Sequence, residues 1–274
     1  MSMQRAIGRA LSKAPLADAW FRRLVWSRIH FPEDELRLLS ALPGRPADVA
    51  IDVGGALGSY AWLFNRKARR VLVFEPGRHH ASFLSKAAPF SRIELHRAAV
   101  GNAPGRLALY TPTDDVDGRH SATLSTDNPN VDPRAAMADE VEVVTIDGIT
   151  SQALRNGERV DLLKVDVEGF ELAVFEGGKG RIEADSPLIF CEIEARHNAR
   201  YREVFEMLRS LGYSIYYSKS GQLTELRSLD ISPLQTAEAL AYRLSGGYTP
   251  GTSSYINNFV FEHPRSRVKV STGL

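Results

Sequence analysis

The stretch Val49–Glu75 constrains this chain more than any other. An apolar run, Val49-Ala50-Ile51, stops at Asp52 and turns through Gly54, Gly55 and Gly58 into a helix-patterned segment. A second apolar run, Val71–Phe74, then stops at another acid, Glu75. Short continuous apolar runs are the pattern of parallel strands buried on both faces, and a Gly-rich strand-to-helix turn lets backbone approach a ligand. An acid that ends the second strand can accept hydrogen bonds from a ribose diol. The stretch therefore reads as a nucleotide-binding βαβ unit.

Spacing then selects among nucleotides. The dinucleotide fingerprint G-x-G-x-x-G sets its second Gly against a pyrophosphate. Counted from Gly54, the second and third places hold Ala56 and Ser59, so a nicotinamide cofactor fits poorly. Asp52 at the mouth of the loop would repel a pyrophosphate, whereas it suits a cationic ligand. S-adenosyl-L-methionine carries a sulfonium, an ammonium and a ribose without phosphate, and it is the expected cofactor.

Downstream, apolar runs at Ile93–His96, Val160–Val165, Ser186–Glu194, Tyr213–Tyr217 and Asn258–Phe261 alternate with helical patterns at Arg78–Ala88, Phe170–Phe175 and Arg202–Leu211. Such alternation predicts an α/β fold built on a Rossmann-like doubly wound sheet. Ligands of these sheets bind outside the carboxyl ends of the strands, where Asp52, Glu75, Asp166, Glu168, Glu192 and Glu194 all fall. Two further runs, Arg106–Tyr110 and Glu140–Ile146, alternate like antiparallel strands. The long polar segment Thr111–Asp139 joins them and is expected to be a lid, with His120–Ser125 innermost.

Charge and cysteine content narrow the function classes. A formal net charge of +1 gives no global field to recruit nucleic acid. The single cysteine, Cys191, excludes an internal disulfide and any multi-cysteine metal site, and its apolar setting LIFCEIE predicts a buried structural thiol. No apolar run approaches the roughly 18 residues of a membrane span, and a signal-peptide core is not seen, so the expected location is cytoplasmic. Residues 1–47 are expected to form a helical extension, residues 48–264 the catalytic domain, and residues 265–274 a disordered tail. Up to Phe31 the extension carries Arg5, Arg9, Lys13, Arg22, Arg23 and Arg28 against one acid, Asp18, with Trp20 and Trp26 interleaved. Residues 1–31 are thus a candidate contact with a membrane surface or a second subunit.

The segment Asp161–Gly177, DLLKVDVEGFELAVFEG, resembles the signature of the FkbM-type methyltransferases, a branch of the SAM-dependent Rossmann-like enzymes. Its companions IDVGGALGSY, VLVFEP, AAVGNAPGRLALY and VEVVTIDGI appear in order, and the resemblance spans roughly residues 48–262. It implies a seven-stranded sheet with one antiparallel strand, SAM as methyl donor, and most often O-methylation. The acceptor would be a hydroxyl of a sugar, a glycolipid or polysaccharide precursor, or a polyketide-like natural product. Where the family's first motif usually reads D-V-G-A-N-x-G, Gly55 and Ala56 stand here, so one side-chain amide near the methionine end is missing.

Strand ends and resemblance together give the candidate cofactor residues Asp52, Gly54, Gly55, Gly58, Tyr60, Glu75, Ala99, Val100 and Asp166. The catalytic candidates are Asp166 and Glu168, with His120 next; no metal is expected, since no His-rich spacing supports one. The competing reading is a catalytically silent SAM-fold scaffold or partner-binding module, for which Ala56 is the one favourable feature.

Overall fold

The computed structural model describes residues 34–42, 47–87, 92–112, 122–124, 136–219, 222–244 and 255–270. The basic segment 1–31, His120 and most of the expected lid lie outside the described residues. In chain order the elements are α1 (Asp34–Ala41), β1 (Ala47–Val53), α2 (Ser59–Lys67), β2 (Ala68–Phe74), α3 (Arg78–Ala87), β3 (Ile93–His96), β4 (Ala99–Val100), β5 (Gly105–Pro112) and β6 (Ala136–Val144). There follow α4 (Ile146–Ala153), β7 (Val160–Val165), α5 (Glu171–Glu176), α6 (Lys179–Asp185), β8 (Leu188–Glu192), α7 (Tyr201–Ser210), β9 (Ser214–Lys219), β10 (Gln222–Glu225), α8 (Ala237–Leu244) and β11 (Asn258–Glu262).

The main sheet runs β10-β9-β11-β8-β7-β1-β2-β3, and β4-β6-β5 form a small second sheet. Strands β1, β2, β3, β7 and β8 pair in parallel, while β11 lies antiparallel between β8 and β9. Every residue of β7 is buried. Because successive side chains leave opposite faces of a strand, the sheet feeds two cores. Ile51, Val53, Leu163, Val165 and Cys191 enter one core with Phe175 and Phe205 of α5 and α7, whereas Ala50, Val71, Leu162 and Phe190 enter the other with Leu63 and Phe64 of α2. Asp52 and Lys164 are register partners on β1 and β7, at the positions that follow Ala50 and Leu162 on the second face.

Three sequence expectations need correction. The sheet has eight strands rather than seven, and two of them run against the parallel set, because β10 folds back on β9. Gln222–Glu225 holds one aliphatic residue, Leu223, too little to signal a strand, and pairing with β9 supplies its hydrogen bonds instead. The run Glu140–Ile146 stops as a strand at Val144; the Thr145 side chain accepts from the Gly148 amide and caps α4, which begins at Ile146. Residues 265–270 are not a disordered tail. Val268 and Val270 are buried in the second core, and Arg267 bonds Asp48 at 2.9 Å and Asp161 at 3.5 Å. The alternating valines of this short piece bury against the molecule without belonging to any strand, so no periodic run announces them; residues 271–274 lie outside the described set.

Candidate active site

The turn after β1 is set by what its neighbours allow. Gly54 has φ of 81°, and a Cβ built there would sit 1.9 Å from the Asp166 carbonyl oxygen, so only glycine fits between β1 and β7. The amides of Gly54 and Gly55 both donate to the Phe74 carbonyl, which pins the turn to the end of β2. Glu75 completes the join: its Oε2 accepts from the Ala56 amide at 2.7 Å and its Oε1 from the Gly77 amide at 2.8 Å. Each carboxylate oxygen has a second lone pair left to offer a ligand.

Burial sets the electrostatics here. It pushes Glu75 up to about 7, against the lowering effect of the two amides. It also pushes Asp52 up to about 7, opposed chiefly by Lys164. The Asp52 Oδ2 is buried with no hydrogen-bond partner among the described residues. Lys164 is itself buried, 3.6 Å from Asp166 Oδ2, 3.4 Å from Asn258 Oδ1 and 4.8 Å from the centre of the Tyr60 ring.

Between β7 and α5 the chain turns through Glu168 and Gly169, with φ of 52° and 101°. The helix begins only at Glu171, whose Oε1 accepts from the Gly169 amide at 2.8 Å, so Asp166 is not its N-terminal cap. Glu168 Oε2 lies 2.5 Å from His197 Nδ1. Burial holds the Glu168 carboxyl above the usual range, and the hydrogen bond from His197 works against that rise. The Glu168 carbonyl accepts from Thr123 Oγ1 at 2.7 Å, and Thr123 pairs its backbone with Tyr110 of β5, so the hairpin touches this loop.

A cavity of about 480 Å³ opens at the carboxyl ends of β1, β2 and β7. Of the residues chosen from sequence, Gly54, Glu75, Ala99, Val100, Asp166 and Glu168 line it, together with Ala56 and Glu192. Leu109, Leu124 and Met137 of the hairpin region form an apolar wall. Asp52, Gly55, Gly58 and Tyr60 do not line it. Gly55 is packed against Val73, and Asp52 and Tyr60 are buried. His120 lies outside the described residues. Sequence reasoning passed over His197 and Asn257. The clue for His197 was its place three residues after Glu194, and Asn257 bridges Glu192 Oε1 at 2.5 Å and Glu194 Oε1 at 2.9 Å.

A family model described as the methyltransferase FkbM domain matches residues 52–215. Among solved structures, the chain is similar to methyltransferase FkbM from Methylobacillus flagellatus KT, at 16% identity and a TM-score of 0.45, over 92% of this chain and 57% of that one. It is also similar to a TehB-like SAM-dependent methyltransferase from Corynebacterium glutamicum, at 11% identity and a TM-score of 0.39, over 88% of this chain and 91% of that one. A third likeness is precorrin 8w decarboxylase from Methanobacterium thermoautotrophicum, at 13% identity and a TM-score of 0.41, over 84% and 88%. No curated protein matches the chain. The chain thus spans 57% of the length of the Methylobacillus protein.

Proposed function

We propose that this chain, which belongs to the FkbM methyltransferase family, uses S-adenosyl-L-methionine to methylate a hydroxyl oxygen of a sugar, a glycolipid or polysaccharide precursor, or a polyketide-like natural product. The observation that carries the proposal is convergence: a glycine turn, a buried ribose-binding candidate and the Asp166–Glu168 loop surround one cavity. The residues present fit the donor. Gly54 brings bare backbone to the cavity wall, where a Cβ would strike the Asp166 carbonyl, and the carboxylates of Asp166 and Glu75 beside it suit a cationic methionine end. Glu75 keeps lone pairs for the ribose hydroxyls, while Ala99, Val100, Leu109 and Leu124 offer apolar surface to the adenine.

When bound, the donor supplies an already activated methyl group. The protein's work is therefore alignment, bringing an acceptor oxygen within about 3–3.5 Å of the carbon it attacks, and removal of the hydroxyl proton. Glu168 is the base: it lines the cavity, and its raised carboxyl moves its proton affinity toward neutral pH, where a general base works best. Asp166, beside the buried Lys164 cation, helps to hold the acceptor. The hydroxyl proton passes to the Glu168 carboxylate.

The test is Glu168→Gln and Asp166→Asn, assayed for turnover and for donor affinity. Glu168→Gln should keep its affinity for the donor while turnover falls by roughly 10²–10⁴, the contribution of a general base. Normal turnover in that variant would move the base elsewhere. The acceptor itself is found by mass spectrometry, as the candidate metabolite that gains one methylene mass only when enzyme and donor are both present.

A further inference from the structure

We infer that His197 is the positioning residue of the active site, its Nδ1–H donating to Glu168 Oε2 and fixing that carboxylate at the cavity wall; this rests on Glu168 as the base. The contact is 2.5 Å long. His197 does not line the cavity, so it acts through Glu168 and not on the acceptor.

The surroundings show a built unit instead of a chance ion pair. Glu168 occupies a left-handed backbone conformation, φ 52°, which L-residues adopt at a cost and which persists only where neighbours enforce it. The neighbours here are two chain segments clamped together twice. One clamp is Glu168 to His197. The other is Glu171, whose Oε2 accepts from Asn198 Nδ2 at 2.7 Å while its Oε1 accepts from the Gly169 amide at 2.8 Å. The turn that presents His197 is fixed in its own right, since the amides of His197 and Asn198 both donate to the Glu194 carbonyl at 3.0 Å.

The acids near Glu168 work against its ionisation. Asp166 and Glu194 both face Glu168 and oppose its ionisation. Glu194 stands 4.0 Å from His197 Nδ1, but its Oε2 also takes hydrogen bonds from Arg196 Nε and from the Tyr255 hydroxyl, and its Oε1 from Asn257. Glu171 feels the charge of Glu168 from the start of α5. His197 thus supplies a donor to a carboxylate whose ionisation Asp166 and Glu194 both oppose. Loss of that donor would let Glu168 take up a proton, and a protonated Glu168 is no longer a base.

The experiment uses the full chain labelled with ¹³C at the glutamate carboxyl carbon. The Glu168 resonance is assigned by its absence in Glu168→Gln and titrated by NMR across the carboxylate and imidazole range. In His197→Ala the Glu168 midpoint should rise by about one pH unit, the scale of a lost hydrogen bond to the charged form. In His197→Asn, whose amide nitrogen sits near the place of Nδ1, the midpoint should return towards that of the unaltered protein. Binding of S-adenosylhomocysteine should be unchanged in both variants. An unmoved midpoint in His197→Ala, or Asn behaving like Ala, overturns the assignment. Should His197→Ala fail to fold, the imidazole ¹⁵N spectrum of the unaltered protein decides. His197 must then be protonated at Nδ1, and its signal must shift in Glu168→Gln; identical spectra overturn the assignment. Normal turnover by Glu168→Gln would remove the base but leave these titrations standing, so the two failures are distinguishable.

Discussion

Asp52→Asn should stabilise the ligand-free protein, and by an amount that grows with pH. Asp52 sits fully buried in β1, and burial raises its carboxyl from 3.8 to about 7. A group whose folded value lies above its unfolded value contributes stability that is fully present below the unfolded value and lost as pH rises through the folded one. Between those limits the unfolded chain has released the proton and the folded protein has not. Each pH unit there costs about 1.4 kcal/mol, so the whole window costs on the order of 4 kcal/mol. Asparagine keeps the shape of the neutral acid and abolishes that loss. Part of the gain is offset, because buried Lys164 loses one compensating carboxylate and keeps Asp166 at 3.6 Å. A net gain of about 1–3 kcal/mol near pH 8 follows from these opposed terms. Glu75 and Glu171 are also raised to about 7 and slope the same way, so the difference between variant and unaltered protein isolates Asp52. Urea unfolding without ligand, repeated along a pH series, measures it. A difference that stays flat with pH, or a variant less stable near pH 8, would refute the reasoning.

Glu75→Ala should weaken S-adenosyl-L-methionine binding by about 1–3 kcal/mol, since the ribose hydroxyls lose their acceptor; calorimetric affinity equal to that of the unaltered protein would sink the assignment. Donor affinity should itself rise as pH climbs through about 7, where Glu75 ionises, and a titration series that stays level from the acidic to the alkaline side would count against its role. Gly54→Ala should cost about 2–4 kcal/mol of stability in thermal or urea unfolding, because it adds left-handed strain to a clash with backbone; an unchanged midpoint would mean that the turn can shift away from Asp166.

The parts of the fold that sequence revealed are those with a local physical signature. The β1–α2–β2 unit was legible because buried parallel strands are continuous apolar runs, and because the crowding at Gly54 admits only glycine. The cavity acids Glu75, Asp166 and Glu168 were legible because they stand where strands end. Strand β10 was not, since an edge strand can be polar on both faces and still pair. Nor was the packing of Val268 and Val270, which depends on a surface built by distant segments. His197 belongs to the same class. It meets Glu168 only because β7 and β8 are adjacent and parallel, so the loops that follow them emerge at the same edge of the sheet. Asp52, Gly58 and Tyr60 show the converse: motif position singled them out, yet none of them lines the cavity.

The central claim is that this cavity holds a sulfonium nucleotide and rejects a dinucleotide. Isothermal titration calorimetry of the full chain with S-adenosyl-L-methionine, S-adenosylhomocysteine and NADH, at a pH above the Asp52 and Glu75 values, tests it most directly. Saturable binding of both adenosyl compounds at one site, with no heat from NADH, is the result this account predicts. Binding of NADH, or the absence of binding by either adenosyl compound, would contradict it.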